Sequence, residues 1–104
     1  MPNRITITEK AYGDLDDIFL YIAEELYSPI AAGNLIDKIF NSIKQLNDFP
    51  LIGSVPDNDI LKIRGYRLLP VENFLILYIP DNNFVEIIRI VYGRRDWENI
   101  LLDE

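Results

Sequence analysis

The chain contains no cysteine and no histidine, and these two absences exclude several chemistries at once. Without them there is no disulfide framework, thiol nucleophile, zinc finger or imidazole base. A serine or threonine nucleophile would need a lysine or carboxylate base, and the only hydroxyls of that kind are Thr6, Thr8, Ser28, Ser42 and Ser54. Neither a metal nor a cofactor is implied. Long apolar runs are missing too, since none approaches the ~20 residues of a membrane span. The opening Met1-Pro2-Asn3-Arg4 lacks the apolar stretch of a signal peptide. The sequence therefore reads as a soluble cytoplasmic protein with no membrane partner. What is present suffices for one domain over 1–104: the 104 residues are 49% hydrophobic. A chain of that size buries roughly two thirds of its unfolded surface.

Positive charge is also scarce, with 10 basic against 17 acidic residues and a net charge of −7. Its distribution is uneven. Residues 1–59 set only Arg4, Lys10, Lys38 and Lys44 against ten carboxylates. Residues 60–95 reverse the sign, with Lys62, Arg64, Arg67, Arg89, Arg94 and Arg95 against Glu72, Asp81 and Glu86. The tail is again purely acidic. Screening confines each field to about a Debye length, roughly 8 Å, so a basic patch can bind an anion inside an acidic protein.

Periodicity lays out the elements. Arg4-Ile5-Thr6-Ile7-Thr8 alternates as a half-buried strand does. Thr8 then caps a helix of about five turns whose apolar stripe is Tyr12, Leu15, Ile18, Phe19, Ile22 and Leu26. Ser28-Pro29 is a cap followed by a first-turn proline. It starts a second helix striped with Ala32, Leu35, Ile36, Ile39, Phe40, Ile43 and Leu46, and Pro50 stops it. So short a connection predicts an antiparallel helical hairpin. Residues 50–59 read as a loop. Three strands are expected at 60–69, 73–79 and 84–92, separated by Pro70 and by the Asp81-Asn82-Asn83 turn. The middle one is apolar on both faces and hence central. Asp96 caps a short last helix carrying Trp97, Ile100 and Leu101. The expected class is α+β: an N-terminal strand, a two-helix hairpin packed on a mainly antiparallel sheet of about four strands, and a short C-terminal helix.

Two regions could carry chemistry. If 60–69 is a strand, Lys62, Arg64 and Tyr66 share one face, either a solvated surface or a row of phosphate-binding cations. Gly65 marks a bulge or a turn there, which changes the aim of Arg67. Arg89, within an apolar run, must pair with a carboxylate such as Glu86 or Glu72, reach solvent, or line a groove. After it, parity puts Tyr92 and Arg94 on one face and Arg89 and Arg95 on the other, unless Gly93 breaks the register. A catalytic reading of these cations is phosphodiester cleavage in RNA, with Lys62, Tyr92, Tyr66 or a carboxylate moving the proton. None of these is matched to neutral pH without a pKa shift.

Leu61-Lys-Ile-Arg-Gly-Tyr-Arg-Leu-Leu-Pro-Val71, Phe74-Leu-Ile-Leu-Tyr78 and Glu86-Ile-Ile-Arg-Ile-Val-Tyr-Gly-Arg-Arg-Asp-Trp97 resemble the RelE/ParE toxin superfamily, as does Phe49-Pro-Leu-Ile-Gly53 upstream. The resemblance covers nearly the whole chain. It implies the toxin of a type II toxin–antitoxin module, of the plasmid-stabilization kind, neutralised by a cognate antitoxin in a hetero-oligomer. Ribosome-dependent ribonuclease members, the RelE-like group, imply Lys62, Arg64, Arg94 and Arg95 as catalytic, with Tyr92 substituting for a later tyrosine. This chain departs from that group in carrying Leu75 where an arginine is usual early in the central strand, and Leu101 near the usual tyrosine. The Arg67-Leu-Leu-Pro-Val and Arg89-Ile-Val-Tyr-Gly-Arg-Arg-Asp blocks look more like ParE-type members, which poison DNA gyrase. That side implies Arg67, Arg89 and Trp97 as binding residues. An inactive relative that only binds antitoxin is the third reading.

Overall fold

The computed structural model describes residues 3–104. Strand β1 (Arg4–Ile7) leads into helix α1 (Glu9–Leu20), which continues without a break into a π-helical turn, Tyr21–Glu25. Helix α2 (Pro29–Gln45) returns antiparallel, and a loop leads to the short helix α3 (Asp59–Ile63). Strands β2 (Arg67–Val71), β3 (Phe74–Asp81) and β4 (Phe84–Tyr92) follow, and α4 (Trp97–Leu102) closes the chain. The sheet order is β1-β4-β3-β2. β1 runs parallel to β4, and the other pairings are antiparallel. The α+β reading and the central place of the apolar strand both hold.

Local chemistry explains several boundaries. The Thr8 hydroxyl accepts from Ala11 N–H at 3.1 Å and donates to Ile88 O at 2.9 Å, so one side chain caps α1 and ties it to β4. Pro29 opens α2, but Ser28 contributes no side-chain cap bond. Asn82 and Asn83 take the positive φ values that the β3–β4 turn needs. Asp96 precedes α4 without capping its backbone and instead accepts from the Asn99 amide.

The expected strand 60–69 is where the structure differs most. Asn58 Oδ1 accepts from Ile60 N–H and Leu61 N–H, capping α3. Gly65, at φ +87°, then turns the chain out of the helix. Lys62 and Arg64 therefore ride on a helical turn and not on a strand face. Nor does Pro70 separate strands, because it lies within β2. β2 is an edge strand whose outer backbone, among the described residues, bonds only Ser54, through two bonds made by Leu68. Two residues on, Pro70 points its missing N–H outward, where it costs nothing.

The sheet is covered on both faces. One face packs on the hairpin through Leu15, Ile18, Ile39, Ile43, Ile76, Tyr78, Val85, Ile87 and Ile90. The other holds Leu77, Ile88 and Val91 against Leu61 of α3 and Leu101 of α4. A bulge makes this double use of β4 possible. Leu77 pairs with Arg89 while Tyr78 pairs with Ile87, leaving Ile88 as the extra residue that turns to the second face. The loop after α2 is braced from the sheet. Tyr78 Oη accepts from Gly53 N–H and donates to Pro50 O, and Arg67 donates to the carbonyls of Leu51 and Gly53.

Candidate functional site

A groove of about 770 Å³ opens between the tip of the hairpin and the Phe74–Tyr92 end of the sheet. The π turn shapes one wall. In a continuous α-helix, residues five apart point about 140° away from each other. Here the Leu26 N–H bonds Tyr21 O, which brings the two side chains into line, and both face the groove. They stay 55% and 56% exposed. The opposite wall is the Phe74–Tyr92 ring pair, with centroids 5.7 Å apart and a tilt of 59°.

Arg89 lies behind this groove in a closed network. Its Nε and Nη2 reach the two carboxylate oxygens of Asp14 at 2.7 and 2.8 Å, and Nη1 reaches Glu104 at 2.9 Å. Asp14, buried on α1, also accepts from Ile90 N–H at 2.9 Å, and Glu104 accepts from Lys10 at 3.0 Å. Hydrogen bonding to Asp14 raises the Arg89 pKa against its desolvation. Burial pushes the Glu104 carboxyl up, but bonds from Lys10 and Arg89 outweigh it and hold the pKa below the usual range. The partners anticipated for Arg89, Glu86 and Glu72, are therefore replaced by Asp14 and Glu104. Glu72 pairs instead with Lys38, a contact that lowers its pKa on an exposed rim.

Apart from Arg89, the site residues proposed from sequence fall into three groups. Tyr92 and Arg95 line the groove together. They meet because Gly93 does break the register: its N–H bonds Asn73 O, and Arg95 N–H turns back onto Tyr92 O. Arg94 is exposed beside them. Lys62 and Arg64 are exposed on α3, which packs on the opposite face of the sheet. The adjoining Gly65 lies against Ile79, five residues along β3 from Phe74, or roughly 17 Å. Arg67 is committed to the loop carbonyls and Trp97 is half-buried in the second core. Among the described residues none of Lys62, Arg64, Arg94 and Arg95 pairs with a carboxylate. Tyr66 is buried, and burial together with nearby Glu104 raises its phenol pKa, so less of it is ionised near neutral pH than of a free tyrosine.

Sequence reasoning missed the groove residues Asp17, Tyr21, Leu26 and Phe74. A signal was available, because the hairpin carries more apolar side chains than one core can use: Tyr12, Phe19 and Leu26 from the predicted stripe stay exposed. Among the described residues there is no cluster of carboxylates able to hold a metal ion, and no helix long and apolar enough to cross a membrane.

The fold has known counterparts. The chain aligns at TM-score 0.71 with a protein of the chromosomal ParDE toxin–antitoxin system of P. aeruginosa, at 24% identity over 86% of this chain and 95% of that one. It aligns at TM-score 0.60 with a chain of the RelBE2 toxin–antitoxin complex of Mycobacterium tuberculosis, at 19% identity over 88% and 99%. At those identities the likeness is one of fold. No curated protein sequence matches significantly. Residues 5–97, however, match the family described as the ParE toxin of the type II toxin–antitoxin system parDE, and the chain belongs to that family.

Proposed function

We propose that the chain arrests growth by poisoning DNA gyrase, that an antitoxin neutralises it by covering the groove, and that Arg94 and Arg95 carry the toxicity. The observation behind the choice of target is the separation of the cations. A ribonuclease active site needs its phosphate-holding groups converged on one scissile bond. Here Lys62 and Arg64 sit on one face of the sheet and the Tyr92–Arg95 pair lines a groove on the other. The absence of a central-strand arginine at Leu75 and the net charge of −7 argue the same way. Settling among ribosomal RNA phosphates draws on counterion release that an acidic protein supplies poorly.

Both targets are tested by two assays on the purified chain. In cell-free translation of one defined message, mapped RNA ends should be unchanged and protein output normal. With gyrase, ATP and relaxed plasmid, the chain should inhibit supercoiling and accumulate cleaved DNA. Cuts within codons that need the ribosome would overturn the gyrase reading. Inactivity in both assays, with no growth arrest on expression, would leave only an antitoxin-binding protein.

A further inference from the structure

The turn that joins β2 to β3 is Glu72-Asn73, and both residues line the same groove as Arg95. Glu72 stands in the left-handed region at φ 54°. Glycine or asparagine takes that conformation with less strain, as Asn82 and Asn83 do in the β3–β4 turn. Here the position carries a glutamate whose carboxylate accepts from Lys38 of α2 at 2.6 Å. Both side chains are more than half exposed, and a pair so exposed contributes little to stability. Strain without a matching gain in stability points to a positional task. The next residue shows which position is set. Asn73 O accepts from Gly93 N–H at 2.8 Å, immediately before Arg94, and Arg95 N–H then bonds back to Tyr92 O at 3.0 Å. The approach is close: a Cβ at Gly93 would stand 3.3 Å from Asn73 O and 3.7 Å from Leu75 Cγ.

We propose that Lys38, Glu72 and Asn73 form a tether that positions Arg94 and Arg95 for the toxin's target. Lys38 fixes the turn to α2, the turn's carbonyl holds Gly93, and Gly93 sets where the arginine pair leaves the sheet. These are positioning residues, acting through the two arginines. The proposal rests on the toxin reading above and deepens it by naming what aims the residues that carry toxicity.

A charge swap on the purified full chain tests the tether, using Lys38→Glu, Glu72→Lys and the two combined. Gyrase supercoiling is titrated with each chain, and exchange of the Gly93 and Arg95 amides is followed by NMR. Each single variant sets like charges face to face. At low salt it should raise the half-inhibitory concentration and both exchange rates at least about threefold. High salt should shrink the difference. The combined variant restores the pair with its ends reversed, and every reading should return to within about twofold of the parent. Melting temperatures should stay within a few degrees throughout, so a merely stabilising contact would not reproduce this pattern. Gly93→Val, which crowds Asn73 O, should raise the half-inhibitory concentration at least about tenfold. Its melting curve shows whether that variant is folded, and the swap series decides where it is not. Single variants that match the parent, a combined variant as impaired as they are, or full activity of folded Gly93→Val would each overturn the proposal. Exchange reads the tether without gyrase. A parent chain that leaves gyrase untouched while the exchange pattern holds defeats the toxin reading alone. Normal inhibition with no exchange response defeats the inference alone.

Discussion

Arg89 is the residue whose meaning changes most between sequence and structure. An arginine inside an apolar strand invites a functional explanation, yet each of its three donor nitrogens is engaged by Asp14 or Glu104. Its side chain is only 18% exposed. Removing one partner from a pair this sheltered strands the others, at a typical cost of about 3–5 kcal/mol. Arg89→Ala should therefore lower the melting temperature by roughly 10 °C or more in a chain of this size. A loss below about 1 kcal/mol in urea titration would return Arg89 to the pool of binding residues. The same network fixes a pH dependence. The folded Glu104 pKa is depressed, so its stabilisation is complete above the unfolded value of about 4.3 and is lost as pH falls through the folded value. Urea stability should decline below about pH 5, and Glu104→Gln should flatten that decline; an unchanged slope would remove Glu104 from the network.

At the scale of elements, what could be read from sequence was whatever is decided locally. Thr8 caps α1 through a bond to Ala11, three residues away, and Asn82-Asn83 makes its turn with its own backbone. Both are legible for that reason. The 60–69 segment failed because five helical residues cover little more than one 3.6-residue period, too few repeats to outvote an apparent alternation of Leu61 and Ile63 with Lys62 and Arg64. The Asn58 cap was the overlooked start signal, and Gly65, read as a bulge or turn within a strand, was the stop. The Ile88 bulge and the Asp14–Arg89 bond, 75 residues apart, arise only from tertiary packing. The π turn that aligns Tyr21 with Leu26 leaves no periodic trace, so the groove was legible only through the hairpin's surplus of apolar side chains. Just past the π turn and its C-cap Leu26, Tyr27 is a non-glycine residue in the left-handed region, at φ 53° and 89% exposed. Left-handed backbone costs a non-glycine residue roughly 1–2 kcal/mol. Tyr27→Gly should thus raise stability by about 0.5–1 kcal/mol, after the glycine's own entropy is subtracted. A destabilised Tyr27→Gly chain would mean that the tyrosine ring holds the tip by contact.

For the whole molecule, the decisive property is that Lys62 and Arg64 stand at α3, against one face of the sheet, whereas Arg95 lines the groove on the other. A chain of net charge −7 keeps Lys62 and Arg64 on α3 and Arg94 and Arg95 beyond Gly93, unpaired among the described residues. If the two sets served one scissile phosphate, deleting either would cripple the molecule by about 10²-fold or more, the usual cost of losing a transition-state donor. If toxicity runs through a protein target met at the groove end, the sets are independent. Arg94→Ala with Arg95→Ala should then abolish growth arrest while the melting temperature stays within a few degrees, because neither side chain is buried. Lys62→Ala with Arg64→Ala should leave arrest within about threefold of the parent, far from the loss expected of a ribonuclease. Dose–response curves of growth against induced expression, with thermal melts on the same two double variants, separate these outcomes. Equal loss in both variants would make one composite site of all four cations, and the gyrase reading would fall with that result.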